Sequence, residues 1–446
     1  MADPLARYSS LVQWVEQDGG RLNPAVEIYQ NEVTKGSFRV KDGCKIEKGD
    51  AVVTLPLSKS LSFLNAINGH PDFEGASFPH IVRAEKSDYF PTEFLKDTPP
   101  HVVGRFFLVQ QYLLGRDSTW WPYIQTLPQP EHMAGSLPAM WPSDDLEFLE
   151  GTNAHVAVQE IKSMLKKEFK QASKLLPDSL RADYTRPLYL WAYCIFTSRS
   201  FRPSLILPYT DSESLPCEID DFSVLLPLFD IGNHSPVART SWATDPTGQE
   251  CRLQSEQPYS AGDQVFNNYG MKTNAELLLG YGFTLPETPS FHNDYVHLKT
   301  KPNPEEGDLA STHIVSLRPM SDPSSLVGRS RLLAPGFTET LACFSHMQDS
   351  LVVLLYEIIT KGTASGDDGE EASVREIMRG NMPPEVKSQI IDALGSKLSM
   401  DLEELEQHDP EYEASNRNQE LAWHYRDQCR KVLETALVRL SAPENQ

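Results

Sequence analysis

Apolar residues along this chain change their spacing from one region to the next, and the changes predict its elements. Residues 1–22 carry apolar positions three and four apart up to Gly19-Gly20, which predicts one helix with a glycine stop. Short apolar runs separated by Gly, Asp and Lys then predict strands, and three-and-four spacing returns between about 80 and 200. The predicted strands are 26–29, 37–40 and 51–55, and the predicted helices are 102–114, 144–176 and 186–197.

The stretch 221–283 combines short apolar runs with polar residues that follow them directly. Val224 to Phe229 is short and flanked by turn residues, which predicts a buried strand or a short apolar turn. Asp230, Asn233 and His234 come straight after it, so we expect them at the edge of the core, where a polar group needs a partner or a ligand.

The second half of this stretch has the same character. Gln264-Val265-Phe266 predicts a strand and Asn267 to Gly270 a sharp exit from it. Thr273 to Leu279 predicts a short helix that Gly280 and Gly282 close. Two tyrosines, Tyr269 and Tyr281, therefore bracket one helix, next to the polar residues of the first half.

After Phe283 the pattern becomes helical again. Residues 284–303 are rich in proline and predict a linker, and 304–446 predict a helical domain. Its predicted helices are 338–360, 373–378, 384–394 and about 415–440. Gly362 to Glu371 predicts a flexible surface loop because it is dominated by Gly and acidic residues.

Composition narrows the class of protein. The 446 residues exceed what one hydrophobic core usually serves, so two domains are expected. A net charge of −22 argues against nucleic acid as a partner, because phosphate binding requires a basic surface, and it suits basic protein segments better. Acidity for solubility alone is an equally acceptable explanation of the charge.

The cysteines and the apolar runs indicate the cellular compartment in which the protein is expected. The six cysteines are far apart and form no C-x-x-C pair, so neither a zinc site nor a disulfide framework is indicated. The start, MADPLARYSS, lacks the features of a signal peptide, and the longest apolar run is too short to cross a bilayer. We expect a soluble monomer in the cytoplasm or nucleus, with no membrane partner.

Four motifs in order resemble a known family. The patterns D-x-x-N-H from Asp230 and N-Y-G-x-K-x-N-x-E-L-L-x-x-Y-G-F from Asn268 follow S-R-S-F at 198–201 and W-P-Y-I-x-x-L-P at 121–128. Together they are similar to the SET domain of the Rubisco large-subunit lysine methyltransferase class. The resemblance implies an α+β fold: a SET-domain β-fold over 23–283 with an inserted helical subdomain at about 80–200, followed by an all-α C-terminal domain that binds substrate.

The resemblance also implies a methyl donor, S-adenosylmethionine, and residues that bind it. Asn233 and His234 match the family's N-H pair, and Lys35-Gly36-Ser37 matches its glycine-containing loop, although a second glycine usual in the family is absent. From the residues alone, Gly36 is more often a plain turn glycine than a ligand contact. The implied cofactor-binding residues are Lys35, Gly36, Ser37, Arg199, Asn233, His234 and Tyr269.

The same resemblance assigns the chemistry to Tyr269, whose hydroxyl would lie near the methyl being transferred. Arg199, Asp230 and Tyr281 match positions on the substrate side. Without the family, Tyr281 is equally well explained as core and Asp230 as a turn cap. A metal site at Asp230 and His234 fails for want of a third ligand nearby, and Ser235 lacks the setting of a hydrolase nucleophile.

The expected activity is methylation of a lysine in a non-histone protein, ribosomal or other, without a metal. No zinc-binding cysteine cluster follows the SET half, which favours the non-histone class. Histidine methylation and a catalytically silent SET protein remain alternatives. Seven acids between Asp401 and Glu413 suit a basic target segment, although a solvated face is the commoner meaning of such a run.

Overall fold

A computed structural model of the protein describes residues 5–31, 35–73, 78, 80–83, 90–206, 215–245, 247–300, 311–361 and 373–442. The chain forms two compact units. The first comprises Met1–Met133 and Lys162–Tyr269, and the second comprises Ala134–Ile161 and Gly270–Gln446. The domain limits inferred from the sequence divide the chain differently and stay a prediction. The predicted loop at 362–371 lies outside the described residues.

The strands are short, and most of them precede Gly270. They are β1 (Arg21–Leu22), β2 (Val26–Asn31), β3 (Lys35–Val40), β4 (Ala51–Pro56), β5 (Ser200–Phe201), β6 (Val224–Leu225), β7 (Thr240–Thr244), β8 (Glu250–Ser255), β9 (Gln264–Val265), β10 (Tyr295–Lys299) and β11 (Thr312–Ser316).

The helices occupy the N-terminus, the middle of the chain and the C-terminal third. They are α1 (Ala6–Glu16), α2 (Phe63–Ile67), α3 (Thr92–Asp97), α4 (Pro100–Leu114), α5 (Trp121–Ile124), α6 (Ser143–Leu146), α7 (Asn153–Lys174), α8 (Asp178–Arg181), α9 (Arg186–Arg199), α10 (Asn274–Tyr281), α11 (Leu326–Ser330), α12 (Asp349–Lys361), α13 (Val374–Arg379), α14 (Pro384–Gln407) and α15 (Arg417–Leu440). Among the described helices, none is long and apolar enough to cross a membrane.

Small antiparallel sheets form the β part of the first unit. One has the order β1-β4-β8-β7, another β2-β3-β9, and β5 pairs with β6. The predicted strands at 26–29, 37–40 and 51–55 are confirmed. Side chains of β8 alternate between buried and partly exposed, as expected for a strand with one covered face, whereas nearly all of β4 is buried.

A polar cluster ties together α4, α7 and α9 in the same unit. We call Arg105, Glu168 and Tyr189 the helix cluster. Arg105 Nη1 donates to Glu168 at 2.7 Å and to the Tyr189 hydroxyl at 2.9 Å, and that hydroxyl donates to Glu168 at 2.7 Å. His101 lies 3.0 Å from the other oxygen of Glu168. Both oxygens of Glu168, Arg105 Nη1 and the Tyr189 hydroxyl therefore have hydrogen-bond partners, which offsets the cost of burying these polar groups.

The second unit is largely helical, as predicted, and residues 134–161 contribute to its core. Phe148 and Val158 lie in one apolar cluster with Leu278, Ile390 and residues of α15. The region also contains one antiparallel pair, β10 with β11. The prediction of a linker over 284–303 is therefore corrected at Tyr295–Lys299, and the C-terminal region is not all-α.

The helix predicted over 384–394 continues to Gln407 as α14, and two further predicted helices differ from those observed. The single helix expected over 144–176 is interrupted between α6 and α7, where Gly151 has φ +75 and a Cβ on it would lie 2.7 Å from the carbonyl oxygen of Glu404. The helix expected from 338 begins at Asp349 instead. In both places contacts with residues distant in the sequence determine where the helix begins or breaks, and the spacing of apolar residues does not indicate such contacts.

The helix α10 follows the sequence prediction closely. The Thr273 hydroxyl accepts from the amide of Glu276, and the Glu276 carboxylate accepts from the amide of Thr273 in return. Gly282 ends the helix at φ 73, and a Cβ there would collide with the carbonyl oxygen of Ser136. Glycine is thus required at this position both by conformation and by space.

Candidate active site

Two segments that the sequence analysis singled out run side by side in the first unit. His234 forms a parallel bridge with Asn267. The Asn267 amide donates to the carbonyl of Asn233 at 2.7 Å, and the Ser235 amide donates to the carbonyl of Asn267 at 3.0 Å. Residues more than thirty positions apart are thereby fixed to each other by backbone hydrogen bonds, which gives the polar side chains a rigid base.

Tyr269 is held from three sides. Its hydroxyl donates to the carbonyl of Gly232 at 2.9 Å, and its amide donates to His234 Nδ1 at 3.0 Å. The His234 and Tyr269 rings stack, with centroids 5.0 Å apart and planes 19° apart. Because the hydroxyl gives its one proton to a carbonyl, its oxygen can act toward a ligand only as an acceptor.

Asn233 is fixed through its side chain as well as its backbone. Its Nδ2 donates to Ser37 Oγ at 3.0 Å, and Gln264 Nε2 donates to the same oxygen at 2.5 Å. Asn233 as a whole is half-buried. Ser37 is completely buried, and its hydroxyl oxygen is the common acceptor for the two amides.

Arg199, Asp230 and Tyr123 form a second polar cluster, which we call the site cluster. Arg199 Nη1 lies 3.1 Å from Asp230 Oδ2, and the Tyr123 hydroxyl donates to that oxygen at 2.9 Å. The Asp230 side chain is 1% exposed, whereas that of Arg199 is 27% exposed. Burial raises the pKa of Asp230 above its ordinary range, and Arg199 and Tyr123 only partly oppose the rise.

The backbone immediately before Asp230 is strained. Leu228 has φ 76 and ψ −39 and is completely buried. A positive φ is rare for a large side chain, and it persists only where the surrounding structure enforces it. Here the turn takes the chain from β6 into a 3₁₀ turn, Phe229–Ile231, that carries Asp230.

Tyr281 belongs to the second unit, at the end of α10. It is half-buried, and burial raises the pKa of its hydroxyl to about 12, with a smaller effect from Glu276. Lys272 Nζ lies 5.9 Å from the centroid of its ring, and the ring of Phe283 packs edge-on at 6.3 Å. The hydroxyl is therefore neutral at physiological pH.

The first unit thus brings together seven of the residues predicted for the site, including the buried Asp230, and these residues differ in exposure. Arg199, Asn233, Tyr269 and Gly36 are partly exposed, whereas Ser37 is fully buried and His234 is 6% exposed. The side chain of Lys35 lies outside the described part of the structure. The sequence analysis assigned no site role to Gln264, Gly232 or Tyr123, although Tyr123 lies in the W-P-Y-I motif, because the partners of these residues are remote in the chain.

The exposed groups suit the amino-acid part of S-adenosylmethionine. Arg199 presents a cationic guanidinium of the kind that binds a carboxylate, and Asn233 presents a carboxamide that binds polar groups of either kind. Tyr269 presents an acceptor oxygen, which suits an electron-poor methyl group. Among the described residues, no group of three or more His, Cys, Asp or Glu is arranged to hold a metal ion.

Known proteins resemble this chain in both sequence and fold. It is 31% identical over 351 residues to ribosomal lysine N-methyltransferase Set10 of Schizosaccharomyces pombe, covering 76% of this chain and 58% of the relative. It is 28% identical over 310 residues to protein-lysine N-methyltransferase EFM1 of Saccharomyces cerevisiae, covering 61% and 48%. The chain thus spans about half of the length of these curated relatives. No family model matches it.

Solved structures agree on the fold. The SET domain of LSMT bound to lysine and AdoHcy matches with a TM-score of 0.64 at 15% identity, over 97% of this chain and 90% of that one. A structure of Rubisco LSMT bound to AdoMet matches with a TM-score of 0.62 over 99% and 92%. The chain has the fold of the SET-domain enzyme Rubisco LSMT, and its sequence is similar to those of protein-lysine N-methyltransferases.

Proposed function

We propose that this protein is a protein-lysine N-methyltransferase that uses S-adenosylmethionine and acts on a non-histone protein. The observation that carries the proposal is Tyr269, whose hydroxyl is fixed to the Gly232 carbonyl beside Asn233 and His234. Sequence likeness to Set10 and EFM1 supports the acceptor class. Bound S-adenosylmethionine would supply the electrophilic methyl group.

Tyr269 is proposed to hold the methyl group on a line between donor and acceptor. Methyl transfer to an amine is an in-line displacement, so the main task of the protein is to fix geometry in a site without water. The fixed hydroxyl oxygen would attract a methyl group that carries partial positive charge. The Gly232 carbonyl, which accepts the hydroxyl proton, would make that oxygen more negative and so strengthen the attraction. Arg199 and Asn233 are proposed to hold the other end of the donor.

The acceptor amine must be neutral, since only its lone pair attacks. A lysine has a reference pKa of about 10.4, so roughly one in a thousand is neutral near pH 7. A dry aromatic channel lowers that pKa because it disfavours the charged form. Tyr281, neutral and half-buried, is proposed to form part of this channel.

Exposure suggests a division of labour among the remaining residues. Ser37 and the Asp230 carboxylate have almost no accessible surface, and both hold a more exposed residue through hydrogen bonds. We therefore propose that Ser37 positions Asn233 and that Asp230 positions Arg199. Neither residue needs to contact donor or acceptor to influence the reaction.

Calorimetry with S-adenosylmethionine is the first test. The full chain should bind the donor at micromolar protein concentration, and Asn233→Ala should weaken that binding without a large fall in melting temperature. If the folded wild-type protein binds no donor, the chain is a SET protein without catalytic function and the proposal is wrong.

The acceptor can be identified by incubating the protein with labelled S-adenosylmethionine in a cell extract. Mass spectrometry would then locate the methylated residue. We expect a lysine, in a ribosomal protein or another non-histone protein. A methylated histidine would overturn the lysine assignment and support the alternative acceptor.

The acidic run between 401 and 413 is proposed to attract a basic segment of the substrate. Glu404 Oε1 lies 3.5 Å from His408 Nδ1, and two of the seven acids are paired with lysine or arginine: Asp401 with Lys397, and Asp409 with Arg426 and Arg430. The five that remain exposed and outside these pairs are Glu403, Glu404, Glu406, Glu411 and Glu413. They retain negative charge, which speeds encounter with a basic partner at low salt.

Replacing these five glutamates with glutamine tests the docking surface. The rate on the identified full-length substrate should fall about tenfold at low salt and much less at high salt. A short peptide around the target lysine should react equally with both proteins. An unchanged rate on the full-length substrate at both salt concentrations would exclude this surface.

The cysteines are the basis for a proposal about where the enzyme acts. All six cysteines lie in the described part of the chain and are free thiols, as expected in a reducing compartment. We therefore propose a cytoplasmic or nuclear enzyme that acts as a monomer, with a protein rather than nucleic acid as its partner.

A further inference from the structure

Gly36 lies where the N-terminal helix meets β3. A Cβ built on Gly36 would lie 2.6 Å from the Tyr8 hydroxyl oxygen, 3.1 Å from Cζ and 3.6 Å from Cε1. Gly36 does not have a positive φ, so its backbone alone would accept an alanine. The ring of Tyr8 therefore explains why this position carries no side chain.

The neighbouring residue faces the other way. Successive side chains of a strand point to opposite faces, so Gly36 meets Tyr8 on one face of β3 while Ser37 points to the other. On that second face Ser37 Oγ accepts from Asn233 at 3.0 Å and from Gln264 at 2.5 Å. One residue step of β3 thus connects the helix α1 to a side chain of the candidate donor site.

The helix α1 is held firmly enough to act as a support. Leu11 and Val15 are completely buried, and Trp14 is 8% exposed. Lys59 Nζ lies 4.3 Å from the centroid of the Trp14 ring and 2.9 Å from Asp18, just beyond the end of the helix. Tyr8 itself is only 8% exposed, so its ring has little freedom to move away from β3.

We propose that Tyr8 is a positioning residue of the donor site: its ring supports β3 at Gly36, and this support sets Ser37 and, through it, the carboxamide of Asn233. The inference rests on the proposed function, because it assigns Asn233 to donor binding. It gives Gly36 a role different from close approach of a ligand. In this account, the glycine makes room for Tyr8.

A comparison of single and double variants separates the two roles of Gly36. Gly36→Ala should push against the Tyr8 ring and weaken S-adenosylmethionine binding about tenfold, the size expected of an overpacked contact. Tyr8→Phe in the same chain removes the hydroxyl oxygen nearest to the new Cβ and keeps the supporting ring, so the double variant Gly36→Ala with Tyr8→Phe should bind the donor more tightly than Gly36→Ala alone.

Affinity should be measured by calorimetry on the full chain, with melting temperature recorded for each variant. Gly395→Ala is the matched control, since a Cβ there meets nothing within 4 Å and should leave affinity unchanged. If the wild-type protein binds no donor, the proposed function fails. If the wild type binds and Tyr8→Phe does not restore part of the affinity that Gly36→Ala loses, or Gly36→Ala binds as well as the wild type, the positioning role of Tyr8 is wrong.

Should Gly36→Ala fail to fold, Tyr8→Phe and Tyr8→Ala by themselves remain informative. Tyr8→Ala should weaken donor binding by more than Tyr8→Phe does, because it removes the whole support of β3. Equal affinity in the wild type and a folded Tyr8→Ala variant would overturn the inference.

Discussion

The helix cluster and the site cluster use the same three kinds of side chain, an arginine, a carboxylate and a tyrosine, with opposite electrostatic results. In the helix cluster, burial raises the pKa of Glu168, but His101, Arg105 and Tyr189 together bring it below its ordinary value. In the site cluster, the pKa of Asp230 stays above its ordinary value. The partners of Glu168 therefore outweigh the cost of burying its charge, whereas those of Asp230 do not.

Geometry accounts for the difference. Glu168 has partners on both oxygens at 2.7 to 3.0 Å, whereas Tyr123 and Arg199 both bond to Oδ2 of Asp230, at 2.9 and 3.1 Å. The arginine of the helix cluster is 10% exposed, and Arg199 is 27% exposed. A cluster that only joins helices can be closed on itself, while one that borders a site keeps a charged group available for a ligand.

The largest expected effect concerns Tyr269, whose hydroxyl donates to the carbonyl of Gly232, two residues after Asp230 of the site cluster. Tyr269→Phe should lower turnover by about a hundredfold or more, the size typical of losing one preorganised group at the reacting centre. Donor affinity should change little, because the hydroxyl acts in the transition state. Turnover and calorimetric affinity measured on the same sample check this. A parallel loss of both, or a matching fall in melting temperature, would indicate a packing role.

Substituting the carboxylate of each cluster should distinguish an effect on folding stability from an effect on donor binding. Glu168→Gln leaves Arg105 buried without its anion and should cost about 3 kcal/mol of unfolding free energy, with little change in donor affinity. Asp230→Asn should cost less, because Arg199 is partly solvated, yet it should weaken donor binding. Urea denaturation and calorimetry provide the two readouts. If both variants lose stability equally and bind the donor equally, the distinction between the clusters fails.

Removing the tyrosine hydroxyl from each cluster compares the two clusters again, with a smaller expected effect on stability. Tyr189→Phe and Tyr123→Phe each delete one hydrogen bond to a carboxylate, which should cost about 1 to 2 kcal/mol of unfolding free energy. Only Tyr123→Phe should change the Michaelis constant for the donor. An effect of Tyr189→Phe on that constant, without a fall in stability, would contradict the assignment of the helix cluster to structure alone.

Acid should have opposite effects on the two carboxylates. The lowered pKa of Glu168 means that its stabilising contribution is present above the unfolded pKa and is lost as pH falls through the folded value. The raised pKa of Asp230 means that its favourable contribution is present below the unfolded pKa and is lost as pH rises through the folded value.

Unfolding free energies measured between about pH 3 and pH 6 should show this as a difference in slope. On acidification, the advantage of wild type over Glu168→Gln should shrink, whereas wild type should gain relative to Asp230→Asn. Slopes of the same sign for the two pairs would show that one of the two directions is mistaken.

The sequence predicted local features well. The strands around 26–55 and the helix after Thr273 follow from side-chain periodicity and from a closing glycine. These signals depend only on neighbours in the chain. The polar residues after the buried run at 224–229 were likewise placed at the edge of the core from their position alone.

Features that depend on distant partners were not predictable. The bond between Asn233 and Ser37 joins residues 196 positions apart, and that between Tyr123 and Asp230 joins residues 107 apart. The strand Tyr295–Lys299 was missed because it lies in a proline-rich stretch and has a polar residue, His297, in its middle. The positive φ of Leu228 could not be predicted from the sequence either, since leucine rarely adopts that conformation.

The core that joins residues 134–161 to the C-terminal helices has a consequence for biosynthesis. The apolar faces of Phe148 and Val158 are completed by residues as late as Leu440. At ordinary translation rates, that partner surface emerges on the order of tens of seconds after the first segment has left the ribosome. During this interval the nascent chain displays an unmatched apolar segment in its middle, so newly made protein should depend on chaperones more than its folded form suggests.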